Sequence, residues 1–138
     1  MMKKSFVALL LSLLTLPVMA GDRWVQVGEF GKTKLFIDSE SYVFLNDGTL
    51  RLWVRDLYNE PTHSTYLTNK EFNLIDAHIV ISCDSRTYFA KERHFYLNGE
   101  DVDYWLNQNP EWISIQPESK MEQIFKVCTL KPKRKNQS

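Results

Sequence analysis

Cys83 and Cys128 constrain this chain more than any other feature. They are its only two cysteines, and they stand in segments of different period. Around the first, Ala77, Ile79, Ile81 and Cys83 alternate with His78, Val80 and Ser82, the pattern of a strand with one apolar face. Around the second, Met121, Ile124, Phe125 and Cys128 fall at i, i+3, i+4 and i+7, one stripe of an α-helix. A bond between them would staple the helix's buried stripe to the core face of a sheet. Closing a loop of this length removes on the order of 4 kcal/mol of unfolded-state entropy in the chain-entropy model. The other use of such a pair, a reactive thiol or a metal site, finds no CxxC and no histidine near either cysteine in sequence.

Oxidation of the pair requires an exported chain, and residues 1–20 read as a secretory signal. Met1-Met2-Lys3-Lys4 is a basic start, Phe6 to Leu16 is an apolar run, and Val18-Met19-Ala20 is a small-residue cleavage site. The expected product is periplasmic or secreted after cleavage near Ala20, in an oxidising space where an even pair of cysteines is most simply one disulfide. A lipoprotein signal would place an acylated cysteine where Gly21 stands, so no lipid anchor is expected. The apolar run is too short for a membrane span, and no second one follows.

The remaining residues suffice for one domain, 21–130, followed by a basic tail, 131–138. Strands are expected at 23–29 and 34–38, a short extended piece at 42–44, and a strand at 49–58 after the Asn46-Asp47-Gly48 turn. Leu50, Leu52 and Val54 share the core face there, and Arg51, Trp53 and Arg55 share the other. Residues 59–70 are polar, contain Pro61 and lack periodicity, which reads as a long loop with weak strand character at 64–67. A strand at 75–83 follows. The aromatic strand 86–97 loses its alternation near Ala90 to Arg93, as a bulge would cause. Asn98-Gly99 then turns it into a strand at 102–106, and Trp112, Ile113 and Ile115 are extended. Ser119 with Glu122 three residues on is a capping box, opening the C-terminal helix. The fold class is α+β: a mainly antiparallel sheet with one C-terminal helix on one face, disulfide-linked to it.

Composition narrows the function classes. Lys+Arg and Asp+Glu both number 17, so the whole chain is formally neutral, which argues against a nucleic-acid binder. The neutrality is a sum of unlike parts. Residues 21–130 carry 11 basic and 17 acidic side chains, and the tail adds Lys131, Lys133, Arg134 and Lys135 with no acid. The tail is expected to be mobile, with weak electrostatic contact to an anionic envelope surface as its functional reading. No GxSxG, HExxH, Walker A or GxGxxG motif occurs, and His63, His78 and His94 stand singly. Neither an enzyme nor a metal or cofactor protein is expected. Glu100, Asp101 and Asp103 fall far short of a calcium-loop ligand set and read as a solvated turn. The better signal is cations interleaved with aromatics: Arg51, Trp53 and Arg55 on one strand, Arg86, Lys91 and Arg93 on another. With a helix on one side only, the other sheet face is left open for a protein partner or a second copy.

In order along the chain stand Trp24, Phe36-Ile37-Asp38 with Ser39 and Ser41, Leu52-Trp53-Val54-Arg55 and Ile81-Ser82-Cys83-Asp84. Tyr96 before Asn98-Gly99, Trp112, and Pro117, Ser119, Glu122, Ile124 and Cys128 complete the set. This ordered set resembles the surface-adhesin protein E family of Gram-negative envelope proteins and covers about 21–130. The resemblance implies a mostly antiparallel sheet, a C-terminal helix disulfide-linked to it, and a homodimer in the best-known member. That member is an outer-membrane adhesin for host matrix and plasma proteins such as vitronectin, laminin and plasminogen. Cys83 and Cys128 carry over as structural residues, and no ligand contact does. The expected function is an exported adhesin-like protein engaging a host matrix protein or an envelope component. The alternative is a soluble periplasmic binding, inhibitor or assembly factor.

Overall fold

Two tight turns set the pairing of the sheet. At Asn98-Gly99 both residues have positive φ, 51° and 87°, the geometry that returns one strand directly onto the last. Asn73 brackets that turn, accepting from the Asn98 amide and donating to its side-chain oxygen, both at 3.1 Å. At Asp47-Gly48 the carboxylate of Asp47 accepts from the Thr49 amide at 3.0 Å while Gly48 takes φ 85°. The computed structural model describes residues 23–64 and 66–130. The expectations for the signal and for Lys131, Lys133, Arg134 and Lys135 lie outside the described residues.

The strands are β1 (Trp24–Phe30), β2 (Thr33–Asp38), β3 (Val43–Phe44), β4 (Thr49–Ser64), β5 (Thr68–Ser82), β6 (Thr87–Leu97), β7 (Glu100–Leu106) and β8 (Ile113–Ser114). They form one antiparallel sheet in the order β1-β2-β4-β5-β6-β7, with β3 alongside β4 and β8 alongside β6. A short helix, α1 (Lys120–Phe125), runs into a 3₁₀ turn at Lys126–Leu130.

The expected loop at 59–70 is instead the end of a long hairpin. β4 and β5 continue through it, with Thr62 opposite Phe72 and His63 opposite Glu71. The ladder is irregular between Leu57 and Thr62, around Pro61, which has no amide proton to give it. The stretch expected to have strand character at 64–67 contains the turn, with the Leu67 amide bonded to the Ser64 carbonyl at 2.9 Å.

Leu35, Ile37, Leu50, Leu52, Val54, Ala77, Ile79, Ile81 and Ala90 form the sheet side of the core, and Ile115, Ile124 and Val127 close it. Leu50, Leu52 and Ile81 are fully buried. A second cluster, Phe72, Ile75 and Phe95, packs at the hairpin end with Tyr58, Leu67 and Val102 against it. α1 starts with one bond of the capping box and a shifted second: the Ser119 hydroxyl accepts from the Glu122 amide at 3.3 Å, and the Glu122 carboxylate accepts from the Glu118 amide, one residue before the cap. The helix is shorter than its apolar stripe suggests. It tightens after Phe125, so Val127 follows Ile124 into the core at the three-residue spacing of a 3₁₀ turn. Cys128 lies in that turn and is bonded to Cys83 across 45 residues, with the Cα atoms 5.8 Å apart.

Candidate functional site

α1 covers one face of the sheet, and among the described residues no helix lies on the other. On that open face the register aligns Gln26, Phe36, Arg55, Asp76, His94 and Tyr104 in one row across β1, β2, β4, β5, β6 and β7. Trp53 and His78 pair in the adjacent row. Their rings stack at 4.9 Å and 9°, and Trp53 also meets His94 at 5.9 Å. His94 then stacks on Tyr104 at 5.5 Å. The result is a continuous layer of rings, one side chain thick, from the middle of the sheet to its β7 edge.

Two arginine–aspartate pairs border this layer. Arg55 holds Asp76 with both arms of its fork, at 2.8 and 2.9 Å, and lies 4.0 Å over the Trp24 ring. The bond to Asp76 holds the Arg55 guanidinium above its ordinary pKa despite partial burial. Arg23 binds the buried Asp38 at 2.8 Å. Burial raises the Asp38 pKa, but bonds from Arg23, the Glu40 amide and Ser41 outweigh it, so Asp38 lies below the usual carboxylate value. Between the two pairs is a hollow of about 250 Å³, lined by Trp24, Trp53, His94 and Tyr96 beside Asp38 and Asp76. Its charges are balanced locally and its walls are rings, which suits packing against a partner's side chains.

The histidines of this face are held differently. His94 Nε2 meets the Glu92 carboxylate at 2.7 Å. His78 has a lowered pKa because of burial first and the neighbouring Lys91 cation second; Glu92 opposes and Arg51 adds to the lowering. Arg51 Nε is buried without a hydrogen-bond partner among the described residues. Farther along, Phe89 pairs with the buried Val80 and meets Trp112 edge-on at 4.8 Å.

The structure divides the six cationic and aromatic residues singled out from the sequence. Arg51, Trp53 and Arg55 share the open face. Lys91 is the extra residue of a bulge, since His78 pairs with Glu92 and Ile79 with Ala90. That bulge puts Arg93 opposite Ala77, on the helix-bearing face. Arg86 also belongs to the helix side: it reaches Glu122 at 3.5 Å and lies 4.7 Å over Phe125. Sequence reasoning had not placed Asp76, His78, His94 or Tyr96 at a site. The signal that could have found them is cross-strand register, which the loop reading of 59–70 left undefined.

A family model described as surface-adhesin protein E matches residues 24–128. Three solved structures share the architecture. The structure of Haemophilus influenzae protein E superposes with a TM-score of 0.56 at 12% identity, covering 79% of this chain and 85% of that one. Crystal form II of the same protein gives 0.58 at 10%, covering 79% and 88%. Protein E from non-typeable Haemophilus influenzae gives 0.56 at 14%, covering 82% and 80%. At these identities the structural likeness speaks for the fold. No curated protein matches the chain in sequence. The match of the family model over nearly all the described residues is the deciding finding: the chain belongs to the surface-adhesin protein E family.

Proposed function

We propose that the chain is an exported, surface-facing binding protein that engages a host matrix or plasma protein through the open face of its sheet. The observation that carries this reading is the ring layer of Trp53, His78, His94 and Tyr104, with its hollow, on the face that α1 leaves uncovered. Tryptophan, tyrosine and arginine are enriched among the few residues that carry most of the binding energy of protein interfaces once a partner desolvates them. Family membership supports adhesion as the function. The test is solid-phase binding of the mature, disulfide-intact protein to matrix and plasma proteins at physiological salt. Saturable binding to at least one of them is expected, and none to any of them would overturn the reading.

A second copy is a further proposed partner. Among the described residues β7 ends the sheet with no strand on its outer side, and Leu106, Trp112 and Ile113 are exposed along that border. Sedimentation is expected to give twice the monomer mass, and a monomer at all concentrations would dismiss this pairing.

A further inference from the structure

Four of the domain's cations have a carboxylate within reach: Arg23 with Asp38, Arg55 with Asp76, Arg86 with Glu122 and Lys120 with Asp56. Arg93 differs. The bulge at Lys91 turns it to the helix-bearing face, where it pairs across the ladders with Ala77 and Trp105. Its guanidinium lies 4.6 Å over the Trp105 ring, and among the described residues nothing accepts a hydrogen bond from it. Asp56 acts on it through space only, its carboxylate lying 3.5 Å from Lys120 Nζ. Burial holds the Arg93 pKa below its ordinary value, yet an arginine stays charged at any physiological pH. A half-buried guanidinium with no hydrogen-bonded anion keeps its fork of donors available for one.

The donors are not sealed in. No nitrogen of Arg93 is both buried and unpartnered, so the fork faces a space that solvent or a ligand can enter. That space is a hollow of about 260 Å³ walled by Tyr66, Leu67, Phe95 and Trp105. Its size is just under the ~300 Å³ where drug-sized pockets begin, room for one ring or a short chain. Beside Arg93 the lining adds the Tyr66 hydroxyl and the Trp105 indole N–H to the faces of Phe95 and Leu67, and it holds a single cation, too little charge for a phosphate dianion. A planar carboxylate matches the planar fork with two parallel bonds and a single charge.

We propose that this hollow is a second binding site, which takes an organic carboxylate on an apolar, ring-sized body: the carboxylate on the Arg93 fork, the body against Trp105, Phe95 and Leu67. The site is separate from the open face and does not depend on the role proposed for it.

The test uses the mature, disulfide-intact protein labelled with ¹⁵N, following the Arg93 Nε–H and Trp105 indole signals. The probes are 3-phenylpropionate, its neutral amide and inorganic phosphate. 3-Phenylpropionate is expected to move both signals saturably. The amide should bind at least about tenfold more weakly, as loss of a charge-assisted pair implies, and phosphate should cause no saturable change. Arg93→Gln should abolish the response. Equal binding of acid and amide, phosphate binding as tightly as the acid, no saturable response to the acid, or undiminished binding by Arg93→Gln would each overturn the proposal. The acid–amide comparison on the unaltered protein decides the matter even if Arg93→Gln fails to fold.

Discussion

Trp53 and Arg55 stand two residues apart on β4 and share a face, yet their neighbours give them different work. Arg55 is spent on Asp76 and Trp24, so it fixes the geometry of the hollow more than it offers charge to a ligand. Trp53 is the hub of the ring layer, touching both His78 and His94. His78 makes that layer sensitive to pH. Its folded pKa lies below the ordinary ~6.5, held there by burial against Trp53 and by Lys91 and Arg51, with Glu92 opposing. The unfolded chain therefore binds the proton more tightly. The stability that neutral His78 contributes is complete above pH ~6.5 and is lost as pH falls through the lower, folded value. Thermal midpoints measured between pH 7.5 and 5 should fall, and His78→Phe should flatten that slope; an unchanged slope would remove His78 as its source. Arg51, Trp53 and Arg55 were legible in the sequence because β4 alternates cleanly. The bulge expected near Ala90 to Arg93 is present, but its extra residue, Lys91, is fixed only by the pairing of His78 with Glu92 and Ile79 with Ala90, so the face of Arg93 was not legible.

The C-terminal element was legible for a complementary reason: its period departs from that of the sheet, and the capping box marks its start. The 3₁₀ end was hidden, because Ile124, Phe125 and Cys128 suit a regular helix as well as they suit the tighter turn. The hairpin formed by the far ends of β4 and β5 was hidden too. Glu60, Pro61, Asn69, Lys70 and Glu71 are all exposed there and the buried position between them is the polar Thr68, so the sequence shows no apolar alternation before Phe72. Two predictions belong to these elements. Ser119→Ala removes the acceptor at the start of α1 and should cost about 1 kcal/mol in chemical denaturation. Replacing Cys83 and Cys128 together by serine should cost about 2–5 kcal/mol by the same measurement. A loss of only a few tenths for the double variant would mean that the buried contacts of Ile124 and Val127 hold the helix without the bond.

Across the whole molecule, the disulfide and the core decide which surface is free. Leu35, Leu50, Leu52 and Ile81 face α1, and Cys83–Cys128 fixes the helix to that side, so among the described residues no helix covers the opposite face, where Trp112 packs on Phe89. With Arg23 and Arg55 each paired to an aspartate, the proposed binding face would recognise a partner through rings and short-range hydrogen bonds more than through net charge. Partner affinity should therefore change little as salt is raised across the physiological range. The most direct test of the open face as the binding face compares two variants against the partner that the solid-phase assay identifies. Trp53→Ala combined with His94→Ala should weaken affinity by at least about 2 kcal/mol, while Lys120→Ala on the helix side should leave it unchanged. Retained affinity in the Trp53/His94 variant together with a loss in the Lys120 variant would contradict the account.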